Sequence, residues 1–247
     1  SSFTPVQKVI TAYGTRKQVL LPDSSVVWLN AGSSIEFPMA FSTDKREVTL
    51  TGEGYFEVLK NPQRPFYVKT EDMYVKALGT EFNVKAYPND ERIETTLLSG
   101  SVHLVQKRGS EEKILVAMSP NQHIIYDKQA RNMTLVEEAE VPASAEKKEE
   151  KPAKKISSLP SIDAQVKLNK HTAWVAGKLV FRNDSMDEIV RRLGRWFNVN
   201  ITLKSDVLKE YSYTATFTDE TLEQLLELLK LTPPMHYTIR VRNKTPD

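Results

Sequence analysis

The sequence predicts two units. An all-β N-terminal domain, solenoid-like or a sandwich, precedes a small α+β domain of two βαβ-type units. Three observations carry this reading. Short β-branched and aromatic runs separated by turn residues fill the first half, a charged stretch poor in packing residues follows, and an internal repeat with helical periodicity closes the chain. The boundaries are 1–141 for the all-β domain, 142–159 for a flexible charged linker and 160–247 for the α+β domain.

Strand-like runs in the first unit are Val19–Leu21, Val26–Leu29, Val48–Leu50, Tyr55–Val58, Phe66–Val68 and Phe82–Val84, then Thr96–Leu98, Val102–Val105, Ile114–Val116 and His123–Tyr126. Turn signals divide them, among them Pro22-Asp23-Ser24, Thr51-Gly52-Glu53-Gly54, Pro88-Asn89-Asp90 and Ser119-Pro120-Asn121. The linker carries five Lys interleaved with Glu146, Glu149 and Glu150. It buries too little apolar area to offset its ordering entropy, and its mixed charge does not suit a lipid or nucleic-acid patch.

Beyond it, residues 181–190 align with 217–226 at an offset of 36 (Phe181 to Phe217). Ser185 with Glu188, and Thr221 with Gln224, have capping-box spacing. Met186, Ile189, Val190, Leu193 and Phe197 then form one helical stripe, and Leu222, Leu225, Leu226 and Leu229 the other; Pro233-Pro234 ends the second helix. Strands are expected before each helix, at 175–181 and 211–217, and after each, at Val199, Ile201 and Leu203 and at Tyr237, Ile239 and Val241.

Composition excludes more chemistry than it suggests. Lys plus Arg is 34 against 32 Asp plus Glu, too even for a general nucleic-acid binder. Without cysteine there are no disulfides, thiol nucleophiles, Cys-ligated zinc or iron–sulfur clusters. No apolar run reaches the roughly 18–20 residues of a membrane span. The histidines His103, His123, His171 and His236 show no ligand spacing, so no metal is expected. Gly52-Glu53-Gly54 lacks the third glycine of a nucleotide loop and reads as a turn or bulge. Glu57 reads as an outward-facing strand residue rather than as half of an acid–base pair with Glu53, and Trp28, Trp174 and Trp196 as packing. Arg191, Arg192 and Arg195 lie around the polar side of the first helix, either as a solvated face or as partner-docking charges. No active site and no cofactor are expected.

Several stretches, taken in order, resemble the FecR family of anti-sigma factors in its Bacteroidetes form. They are Leu21–Asn30, Ser34–Pro38, Arg46–Val58, Pro65–Val68, Leu78–Tyr87, Leu98–Val102 and the weaker Met118–Gln122. Where that family usually has Asp-Gly-Ser, this chain has Asp23-Ser24-Ser25, so a different turn geometry is expected. Ala173–Phe181 and Arg195–Val199 resemble the small domain that follows FecR, related to the secretin and TonB short N-terminal domain.

The resemblance implies a periplasmic sensor, anchored in the inner membrane by a helix upstream of Ser1. It would bind the signalling domain of an outer-membrane TonB-dependent transducer. It would relay the signal, through a cytoplasmic segment, to an extracytoplasmic-function sigma factor. The rival expectation is a carbohydrate- or ligand-binding β-module of the envelope, which needs Trp28, Tyr55, Phe56 or Tyr87 exposed along a groove. The oligomeric state is open.

Overall fold

The computed structural model describes residues 5–109, 111–136, 170–230 and 235–240. The expected linker 142–159 and Pro233-Pro234 lie outside the described residues. Strands β1 (Val6–Ile10), β2 (Lys17–Leu20), β3 (Val26–Leu29), β4 (Ser34–Pro38) and β5 (Arg46–Glu57) lead into β6 (Phe66–Lys69), β7 (Tyr74–Ala77), β8 (Glu81–Ala86) and β9 (Arg92–Ser99). Then come β10 (Val102–Arg108), β11 (Glu111–Met118), β12 (His123–Asp127) and β13 (Asn132–Val136). The first unit is thus all-β among the described residues, as the run-and-turn pattern predicts.

Its organising element is β5. Its first half pairs with β4 and, in parallel, with β6; its second half pairs with β3 and β8. One side continues through β7 and β10 to β11, the other through β9 and β12 to β13. The sheet therefore curls on itself, with β5 belonging to both sides. One hydrophobic core fills the inside, where Phe56 stacks on Phe82 at 5.0 Å and meets Phe66 edge-on at 6.1 Å.

Thr51-Gly52-Glu53-Gly54, expected to be a turn between two strands, lies within β5. Gly52 sits at φ +95, where the strand passes from one side to the other, and a Cβ there would come within 2.4 Å of Ser33 Oγ. Only glycine accommodates both the φ and the contact, so the signal for chain reversal marks a crossing strand.

Ser24 corrects the expectation of an altered turn. It takes φ +67, the left-handed geometry that glycine provides without strain, although it carries a Cβ. The turn is held by Asp23, whose Oδ1 accepts from Ser25 N at 3.1 Å and whose Oδ2 accepts from Arg46 Nη1 at 2.7 Å. Arg46 is itself buried and also donates to the carbonyls of Arg64 and Leu59.

The second unit contains a 3-10 turn at Ala173–Ala176, β14 (Leu179–Ser185), α1 (Met186–Phe197), a second 3-10 turn at Asp206–Glu210, β15 (Ser212–Phe217) and α2 (Leu222–Leu229). The strand before each helix and both helices are present, with β14 antiparallel to β15. Residues 175 and 176 belong to the 3-10 turn, so the first strand starts later than expected. The strands expected after the helices are not formed at 199–203 or 235–240, and Val241 lies outside the described residues. Ile201, Leu203 and Met235 still pack on the unit's core, so the apolar alternation buries side chains without a ladder partner. Ile189, Leu193, Leu225 and Leu229 are buried, as the stripes predict.

Replacing Ser24 with Gly should remove the left-handed penalty and raise unfolding stability by about 1 kcal/mol. Chemical denaturation measures this. An unchanged or lower midpoint would show that the Asp23 contacts, not the φ angle, govern the turn.

Candidate functional site

The outward face of β8, β9 and β12 is where the second unit docks. Alternation along β8 sends Phe82, Val84 and Ala86 to the core and Asn83 and Lys85 outward. Register places Glu53, Lys85 and Glu94 in one row across β5, β8 and β9. The next row holds Asn83, Thr96 and His123. A solvated face would tolerate these polar groups; here another element covers them.

Lys85 is the centre. Its ammonium lies 3.1 Å from Glu94 Oε1 and 3.8 Å from Asp90 Oδ2, and it donates to Glu188 of α1. Burial alone would lower its pKa, but Glu94, Glu188, Asp90 and Glu53 outweigh burial and raise it, so the amine stays charged. Burial likewise pushes Glu94 and Glu188 up, and Lys85 overrides this in both; for Glu94, His123 and His171 add to the effect and hold it well below the usual range.

Glu53 behaves differently. Burial dominates and raises its pKa, although Asn30 and Asn83 donate to its two oxygens at 2.8 and 3.0 Å. Glu53, expected in a turn or bulge, is thus a buried acceptor within β5. Glu57 remains exposed.

The second unit supplies four further anchors. Trp174 Nε1 donates to Asn83 Oδ1 at 3.2 Å, which together with Glu53 fixes the orientation of that amide. Arg16, between β1 and β2, donates to Trp174 O at 2.6 Å and lies 4.4 Å over the Trp196 ring. Gly14 N donates to Arg195 O at 2.7 Å. Arg195 makes a two-armed contact with Asp90, including Nη1 to Oδ2 at 3.1 Å, and lies 3.6 Å over the Tyr87 ring. Burial lowers the Arg195 pKa and the Asp90 contact more than restores it.

Sequence reasoning grouped Arg191, Arg192 and Arg195 on one polar helix face. In the structure all three border the cavity between the units, and Arg191 and Arg195 both approach Asp90, but they differ in burial. Arg195 is 8% exposed and committed to the junction. Arg192 pairs with Asp184 at 3.3 Å over the Phe181 ring, and Arg191 pairs with Glu188 at 3.0 Å with 40% of its side chain exposed. The two repeats also diverge here. In α2 the capping box is complete, whereas in α1 Ser185 Oγ accepts from Glu188 N at 3.4 Å and the Glu188 carboxylate turns to Lys85 and Arg191 instead.

Sequence reasoning missed the assembly of Lys85, Asp90, Glu94 and Glu188, and that of Glu94, His123 and His171, whose ligand atoms all lie within 4.8 Å of one another. The available signal was Asn83 and Lys85 within an otherwise apolar run. A cavity of about 480 Å³ opens between the units, lined by both signs of charge. Phe56 and Tyr87 are buried while Trp28 and Tyr55 are half-buried, so these four positions do not form the fully exposed aromatic row that the rival reading needs.

Comparison with known proteins agrees with this architecture. The pattern of the FecR protein family matches residues 7–103, and that of the FecR C-terminal region matches 178–245. The chain belongs to the FecR family. Two crystal structures of a candidate anti-sigma factor from Parabacteroides distasonis are similar to it, each at 28% identity and a TM-score of 0.75. One alignment covers 96% of this chain and 95% of the other, the second 95% of both. No curated protein matches the chain. The two FecR patterns correspond to the curled sheet and the helical unit, and the junction lies where they meet.

Replacing Lys85 with Met would take from Glu94 and Glu188 the ammonium that overrides their burial, with Arg191 left beside Glu188 and Arg195 beside Asp90. It should cost about 3–5 kcal/mol by chemical denaturation. Acid should act on the same contacts. Glu94 and Glu188 are held below the ordinary 4.5, so their contribution is complete above that value and is lost as pH falls through their lower folded values. Calorimetry from pH 7 downward should show the junction weakening only in acid; Glu53, with a raised pKa, opposes the trend.

Proposed function

We propose that this chain is the periplasmic sensor portion of a transmembrane anti-sigma factor. It binds the signalling domain of an outer-membrane TonB-dependent transducer and relays that state towards an extracytoplasmic-function sigma factor. The observation that carries the reading is similarity across nearly the whole chain to a candidate anti-sigma factor, in a chain that belongs to the FecR family. An inner-membrane anchor and a sigma-binding segment belong to the proposal. No helix among the described residues is long and apolar enough to cross a membrane. The division into 1–141, 142–159 and 160–247 is part of the same proposal, supported by the spans of the two family patterns.

The junction suits such a relay. A partner that engages the helical unit acts on an element tied to the sheet by Lys85, Asp90 and Asn83. Two contact modes are open to it. Strands β14 and β15 pair only with each other among the described residues, so each offers an edge to an added strand. Arg191, 40% exposed although it also lies 3.8 Å from Asp90, and Arg192 beside it offer charge on α1 for a complementary acidic surface. Arg195 serves the junction in this scheme.

Binding of the transducer signalling domain to the full chain, followed by calorimetry, tests the proposal. Association is expected, with a sigma-dependent reporter responding in cells that carry the whole protein. Reversing Arg191 and Arg192 to Glu, with Arg195 kept, should weaken binding about tenfold at low salt if the helix face contributes. Unchanged affinity would assign the contact to a strand edge, and absence of association would overturn the proposal.

A further inference from the structure

We propose that Glu94, His123 and His171 form a binding site for a first-row divalent metal of the zinc type, which clips the second unit to the sheet. The three residues are remote in sequence. Glu94 is on β9, His123 is on β12, and His171 lies in the segment that enters the second unit. Folding brings His123 Nε2 to 3.4 Å and His171 Nδ1 to 3.6 Å from Glu94 Oε2. Ligands around a tetrahedral ion with bonds of about 2.0–2.1 Å stand about 3.3 Å apart, so both separations are already close to those the ion requires.

The surroundings orient these ligands as metal sites do. His123 Nδ1 lies 2.8 Å from Thr96 Oγ1, and the hydroxyl can accept from a protonated Nδ1, the tautomer in which Nε2 exchanges its contact with Glu94 for a metal. Lys85 holds Glu94 Oε1 at 3.1 Å and leaves Oε2 towards the histidines. Two nitrogens and a carboxylate oxygen match zinc better than the oxygen-rich sets of calcium or magnesium. All three residues line the interdomain cavity, so a fourth position is open to water or to a donor from a partner.

One adjustment is needed. The imidazoles stack with centroids 3.8 Å apart and 19° between their planes, so their lone pairs do not yet converge. Metal binding therefore requires the His171 ring, which borders the cavity, to leave its stack on His123.

Calorimetric titration of the EDTA-treated, dialysed full chain with zinc chloride tests the site. One equivalent should bind and raise the melting temperature. His171→Ala and Glu94→Gln should each lower affinity at least tenfold, while His103→Ala and His236→Ala leave it unchanged. Cobalt chloride should give the strong visible bands of a four-coordinate ion. Long-range nitrogen NMR of the unmodified protein reads the ligands without mutation, and zinc should shift the His123 and His171 ring nitrogens. No binding, or zinc shifts confined to His103 or His236, would overturn the proposal, as would full affinity in folded His171→Ala.

Discussion

An ammonium group withdrawn from water must be compensated by charge within a few ångströms or it loses its proton. Lys85 meets that constraint with Glu94 and Asp90 from its own sheet and Glu188 from the helical unit. The requirement therefore reaches across the chain. Removing the helical unit would take away Glu188 and the cover of Trp174 over Asn83, and would leave Asp90 without Arg195. The docking of the two units and the charge state of Lys85 are one problem with one solution.

That dependence explains why the first repeat departs from the second. Thr221 and Gln224 close a complete cap, as their spacing alone suggests. Glu188 occupies the corresponding position in α1 but gives its carboxylate to Lys85 and Arg191. Helix capping contributes on the order of 1 kcal/mol, whereas an unpartnered buried charge costs several. The larger demand decides where Glu188 points. The stretches that carry the family resemblance converge here as well, since Asn83, Lys85 and Tyr87 come from one of them and Trp174, Arg195 and Trp196 from others.

Much of the architecture was legible in local pattern. Alternation gave the strands of the first unit, and the stripes behind Ser185 and Thr221 gave both helices, because period and caps are properties of neighbouring residues. The strands expected after the helices failed, since Ile201 and Leu203 bury apolar area without any ladder partner. Of the turn or bulge that Gly52 signals, the turn is not formed, because the same left-handed preference serves a strand that crosses between two sides of a sheet. The junction was least legible. Lys85 beside Glu94, or His123 beside His171, depends on register between strands and on docking, neither of which is encoded in spacing.

Contact between Lys85 and Glu188 should couple the two units energetically across the junction. A double-mutant cycle with Lys85→Met, Glu188→Gln and the pair, read by chemical denaturation, measures it directly. A coupling of about 1–3 kcal/mol is expected, with the pair less destabilised than the two single changes combined. Additivity within about 0.5 kcal/mol would contradict it, and would mean that the helical unit docks independently of the buried lysine.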